Sequence, residues 1–151
     1  MTTTFDLADE AATLSLGRAL AKILRAGDFL ALHGDLGAGK TTLTRGLIQA
    51  LLGEGEEVPS PTYTLVQVYE GPDFPLWHFD LYRLDDPDGV EELGWDDTVE
   101  GAALVEWPER AGRHLPKQRL DVFLEIHGDQ RRVRLEPKGE GWQERLHGFS
   151  L

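Results

Sequence analysis

Residues 34–41 read GDLGAGKT, with glycines at 34, 37 and 39 running into a lysine and a threonine. A loop that wraps phosphate must turn its backbone N–H groups toward the anion, which demands glycine where a Cβ would clash or φ must be positive. Gly34, Gly37 and Gly39 supply that freedom, with Ala38 between them. Lys40 would reach the β- and γ-phosphates as a point charge, Thr41 would offer its hydroxyl to Mg²⁺, and the helix beginning there would aim its positive end at the anion. With this composition such a loop arises by chance in roughly 0.4% of chains. A glycine-rich turn with no ligand is therefore the weaker reading.

Hydrolysis in a phosphate-loop protein also needs a strand-end acid near Mg²⁺ and a group that orients or deprotonates water. Two segments offer one. Residues 102–105 form an apolar run ending at Glu106, and residues 76–79, bulkier and interrupted by a histidine, lead to Asp80. Residue type alone leaves the two unranked, and either could be a solvated acid at a strand end. The segment SPTYT at 60–64 places hydroxyls beside a proline-stiffened turn, and Thr62 is the candidate for a γ-phosphate contact that relaxes after hydrolysis. His78, between Trp77 and Phe79, reads as a packed residue before it reads as a base. Trp107 could stack near the nucleotide, although tryptophan is a core or interface residue by default. Tyr82 and Arg83 have the residue types enriched at protein interfaces.

These groups need elements to hold them. Apolar residues over 9–26 fall on one helical face, with Gly27 as its expected C-terminal cap, and residues 29–32 suit a strand buried on both sides. The glycine-rich loop follows, then a helix over 41–52, giving the order strand, loop, helix. Residues 63–69, 76–81 and 102–105 are further strand candidates, and the acidic stretch 85–100 suits short helical turns. Residues 120–126 and 132–135 form a last strand pair, and the tail can place Trp142 and Leu146 on a short helix. The expected fold is a single α/β domain over 1–151, a P-loop NTPase-like sandwich. Its sheet should be mainly parallel, with an antiparallel C-terminal strand pair at one edge.

The chain has no cysteine, which excludes thiol catalysis and Cys-ligated zinc. No apolar run approaches the ~20 residues of a membrane span, and the acidic N-terminus lacks leader character, so a cytoplasmic protein is expected. A net charge of −12 disfavours direct attraction to nucleic acid or anionic lipid. Any RNA would be met through a partner. The sequence contains no asparagine, so the Asn-Lys-x-Asp loop that reads guanine cannot exist, which favours ATP over GTP.

Taken together, GDLGAGKTT (34–42), SPTYTLV (60–66), HFDLYRL (78–84), EELG (91–94) and VEWPER (105–110) resemble the TsaE family, formerly YjeE, from about residue 9 to 135. The resemblance implies a Mg²⁺-dependent ATPase working with TsaB and TsaD. Those proteins form threonylcarbamoyladenosine at position 37 of tRNAs that read codons beginning with A. The TsaE component would bind and hydrolyse ATP and would not transfer the group itself. It further implies that residues 37–42, among them Gly37, Ala38, Gly39, Lys40, Thr41 and Thr42, bind nucleotide, with Thr41 on Mg²⁺. Glu106 and Asp80 would lie near the metal and the hydrolytic water, Thr62 on a switch-like segment and Trp107 near the nucleotide. Glu10 and Thr13 would approach the adenine, and Arg132 matches a C-terminal nucleotide contact. Two other classes compete: a small-molecule phosphotransferase, for which Arg110 and Arg113 would supply the lid, and a nucleotide-gated binding module without useful hydrolysis.

Overall fold

The computed structural model describes residues 2–151. The chain runs β1 (Thr3–Leu7), α1 (Glu10–Ile23), β2 (Phe29–His33), α2 (Lys40–Leu52), β3 (Val66–Glu70) and β4 (Pro75–Asp80). It continues through 3₁₀ segments at Pro87–Leu93 and Trp95–Glu100, then β5 (Ala102–Glu106) and a third 3₁₀ segment at Pro108–His114. β6 (Arg119–His127), β7 (Gln130–Lys138) and α3 (Glu140–Leu146) complete it.

The strands form one seven-stranded sheet in the order β1-β7-β6-β2-β5-β4-β3. Its centre is parallel: β6, β2, β5 and β4 run in one direction, β3 at one edge and β7 run against them, and β1, antiparallel to β7, runs with the centre again. The mixed α/β fold is as the sequence predicts, with two differences. The C-terminal strand pair is not an edge, because β6 docks in parallel on β2 and β1 covers the far side of β7. β1 itself is absent from the sequence reading: only Phe5 and the fully buried Leu7 give it an inward stripe, too few positions for a period to register.

Alternation along the strands divides the core. Leu30, Leu32, Leu76, Leu104, Val122, Val133 and Leu135 face α1, α2 and α3. Phe29, Ala31, Trp77, Phe79, Ala103 and Val105 face the 3₁₀ segments, whose Val90, Trp95 and Ala111 seal that side. The acidic stretch 85–100 is thus short helical turns, as expected. The tail forms α3, burying Trp142 and Leu146. Arg145 fastens it, donating to both Asp28 carboxylate oxygens (2.6 and 2.7 Å) and to the Ile23 carbonyl (2.7 Å) while its guanidinium lies over Trp142. Among the described residues, no helix is long and apolar enough to cross a membrane.

Two boundaries differ for local reasons. α1 ends at Ile23, and Gly27 (φ 91°) sits in the following turn, where its N–H donates to the Gly101 carbonyl at 2.6 Å. The third strand begins at Val66 rather than Tyr63, because Leu65 adopts φ 70°, its N–H on the Pro61 carbonyl and its own carbonyl accepting from Asp80 N–H.

α1 and α2 cross in near backbone contact. A Cβ at Gly17 would lie 2.2 Å from the Leu43 carbonyl oxygen, and one at Gly46 would lie 2.4 Å from that of Leu14. Overpacking at such a contact costs about 1–3 kcal/mol, which exceeds the roughly 1 kcal/mol alanine gains over glycine in a helix. Gly17→Ala is therefore expected to lower stability, seen as a lower urea midpoint with an unchanged slope.

Candidate nucleotide and metal site

β2 delivers the chain into the loop at the carboxyl edge of the parallel strands, where open α/β sheets bind their ligands. Gly34 (φ 152°) passes so close to β6 that a Cβ would meet the Leu124 carbonyl oxygen at 2.7 Å. Gly39 (φ 109°) is the N-cap of α2 and brings no side chain to its first N–H groups, which leaves them for an anion. The glycines thus occupy the positions where the phosphate-loop reading requires them.

Lys40 begins α2 and is 4% exposed. Its Nζ donates to the Gly34 carbonyl at 2.5 Å and lies 3.4 Å from the centroid of the Trp107 ring. Trp107 reaches it from a left-handed backbone position (φ 57°) just past the end of β5, and the Tyr82 ring packs against Trp107 with centroids 5.0 Å apart. Burial pulls the Lys40 ammonium below the ordinary lysine value, against the opposing pull of the Glu106, Asp80, Glu109 and Asp35 carboxylates. A phosphate at this position would add to that opposing pull.

Asp80 and Glu106 end neighbouring parallel strands and are register partners. Both are nearly buried, at 4% and 3% exposure, and their bonds differ. The Glu106 oxygens lie 2.9 and 3.1 Å from the Thr41 hydroxyl, and Glu106 Oε2 lies 2.6 Å from His78 Nε2. Asp80 accepts from Tyr82 N–H at 3.0 Å through Oδ1, and from Thr62 at 3.1 Å and Ser60 at 3.3 Å through Oδ2. His78 is wholly buried, which agrees with its reading as a packed residue, but its bond to Glu106 escaped the sequence. The hydroxyl of Thr41 and the two carboxylates line one hollow beside the phosphate loop and offer it oxygen donors. Hard oxygen donors of this charge suit Mg²⁺ and not the softer metals.

Two hollows flank the loop. The first, about 210 Å³, lies on the acid side and takes in Lys40, Thr41, Thr62, Asp80, Glu106 and Trp107. The second, about 270 Å³, lies on the α1 side, where Glu10, Thr13, Ala38, Thr42, Asp129 and Arg131 meet. Gly37 and Gly39 border both. All the nucleotide and metal candidates implied by the family resemblance but one therefore gather around a single loop. The exception is Arg132, whose Nε donates to the exposed Asp6 carboxylate at 2.8 Å across the β1–β7 pair. Arg131 occupies the hollow instead and reaches the Gly37 carbonyl at 3.2 Å. The signal for this was present: Val133 and Leu135 point inward, so Arg131 shares their side and Arg132 takes the other.

The profile of the family described as threonylcarbamoyl adenosine biosynthesis protein TsaE matches residues 7–134. The chain belongs to the TsaE family. It is 40% identical over 134 residues to the tRNA threonylcarbamoyladenosine biosynthesis protein TsaE of Haemophilus influenzae, with 84% of each chain covered. Against the protein of the same name from Bacillus subtilis it is 39% identical over 122 residues, covering 80% of this chain and 75% of the relative. The crystal structure of Bacillus subtilis YdiB superposes with a TM-score of 0.83 at 29% identity, covering 99% of this chain and 94% of that one. The P-loop fold of this TsaE chain thus accounts for the geometry around residues 34–42.

If the α1-side hollow receives the nucleoside, Arg131→Ala is expected to weaken binding of a fluorescent ATP analogue by roughly tenfold, the worth of one charge-assisted contact. Arg132→Ala should leave it near wild type. A direct titration of both variants checks the assignment.

Proposed function

We propose that this chain is a Mg²⁺-dependent ATPase required for threonylcarbamoyl formation on adenosine 37 of tRNAs that read ANN codons. It would act with TsaB and TsaD in the cytoplasm through ATP binding and hydrolysis. The family's role in tRNA threonylcarbamoyladenosine biosynthesis supports the pathway. The observation that carries the activity is the meeting of Lys40 and Thr41, at the start of α2, with two buried carboxylates on adjacent strand ends.

In this reading the loop N–H groups and Lys40 would hold the β- and γ-phosphates, and Thr41 with Glu106 would hold Mg²⁺, which would supply charge to offset that of the phosphates. Asp80 is tied to Ser60 and Thr62 and not to Thr41, which supports giving it the water side. It orients the attacking water and accepts its proton as the water oxygen bonds to the γ-phosphorus and the bond to the β-phosphate oxygen breaks, releasing ADP and phosphate. Thr62, released from Asp80, is free to follow the γ-phosphate, which makes residues 60–64 a segment sensitive to the bound nucleotide. Trp107 must yield the Lys40 ammonium when phosphate arrives.

The charge of −12 supports tRNA being met through TsaB and TsaD rather than directly. The phosphotransferase alternative gains nothing from its arginines: Arg113 is paired with Asp88 at 2.5 Å, and Arg110 lies over the Tyr82 ring.

Lys40→Ala should weaken ATP binding by about two orders of magnitude, whereas Glu106→Ala should keep binding at saturating Mg²⁺ within a few fold and abolish most hydrolysis. Equal losses of binding in both would refute the roles given. Phosphate release measured with and without TsaB and TsaD should rise when the partners are present. Identical rates would remove the coupling from this reading.

A further inference from the structure

His78 lies two residues before Asp80 on β4, so the strand's alternation sends its ring to the sheet face that carries Asp80 and Glu106. There it is 0% exposed, and its Nε2 lies 2.6 Å from Glu106 Oε2. An ionised carboxylate can only accept, so Nε2 carries the proton and donates. The other nitrogen, Nδ1, is buried and has no hydrogen-bond partner. The Glu106 bond is thus the one hydrogen bond this ring makes among the described residues.

We infer that His78 is a positioning residue, whose Nε2–H fixes the Glu106 carboxylate so that the edge beside Thr41 is presented to the Mg²⁺ of MgATP. This rests on the reading of Glu106 as the metal-side acid. A carboxylate held by Thr41 alone could rotate about its last torsion. With His78 bonded to Oε2, its plane is set before the ligand arrives, and such supporting bonds are typically worth 10–100-fold in metal affinity. The same bond separates the two acids of the site. Glu106 is held from beneath by a buried aromatic donor, whereas Asp80 is held by the hydroxyls of a loop that can move away. A histidine present only to fill space between strands would need neither nitrogen.

The test uses the full chain with His78→Gln and His78→Met, side chains of equal length of which only glutamine keeps an N–H donor. Each protein is loaded with a fluorescent ATP analogue and titrated with Mg²⁺; nucleotide affinity in EDTA and thermal unfolding are measured alongside. Methionine is expected to raise the half-saturating Mg²⁺ about tenfold, glutamine to stay close to wild type, and neither to change the Mg²⁺-free affinity. In a Glu106→Ala background the two substitutions should be indistinguishable. Equal shifts for methionine and glutamine, or a methionine effect that persists undiminished without Glu106, would overturn the inference. Should the methionine variant not fold, His78→Leu, which also lacks a donor, takes its place in the same comparison. A wild-type response in Glu106→Ala itself would instead overturn the metal-side reading of Glu106, and the positioning role with it, while failure of the histidine arm alone leaves that reading standing.

Discussion

Three charged groups lie almost out of water at one end of the sheet: the Lys40 ammonium and the Glu106 and Asp80 carboxylates. An unpaired buried charge is too costly to keep, so each must have partners in the free protein, and in the proposed function each trades some of them for ligand. That constraint organises the site. Lys40 rests between the Gly34 carbonyl and the Trp107 ring, Glu106 between Thr41 and His78, and Asp80 under Ser60, Thr62 and the Tyr82 N–H. Some of these partners are themselves ligand-binding groups in the proposed function, and others are scaffold. The first kind can be exchanged when nucleotide enters; the second keep their geometry.

Scaffold rigidity comes from places far from the chemistry. The close crossing of α1 and α2 at Gly17 and Gly46 fixes the direction in which α2 leaves the phosphate loop. It also brings Thr13 against Gly39, so that the first turn of α1 forms a wall of the second hollow. At the opposite end, Arg145 ties α3 to Asp28 just ahead of β2, the strand that feeds the loop. The 3₁₀ segments close the other sheet face over Phe79 and Val105, the residues immediately before the two acids. Each acid therefore ends a strand packed on both sides, and its carbon skeleton has little room to shift.

Much of this was legible because the residues concerned act locally. Glycine spacing states where a backbone must take positive φ, and a lysine and threonine at the head of a helical period state which helix end receives the anion. The acids at 80 and 106 were legible as strand ends because apolar runs precede them. β1 was not: a five-residue edge strand with a single fully buried side chain leaves no period to read. Leu65 was not either, since its left-handed turn is held by Pro61 and by Asp80, fifteen residues further along.

The sequence by itself determined the P-loop class of the fold and the identity of its glycine-rich loop, along with most of the residues later found around that loop. Backbone freedom, charge and periodicity are properties of neighbours along the chain. Tertiary structure decided which acid stands with Thr41 and which with Thr62, and that a buried histidine bonds Glu106. These are relations between strands, set by register and by the face to which each side chain points. No local pattern carries the register of a strand against a neighbour 26 or more residues away.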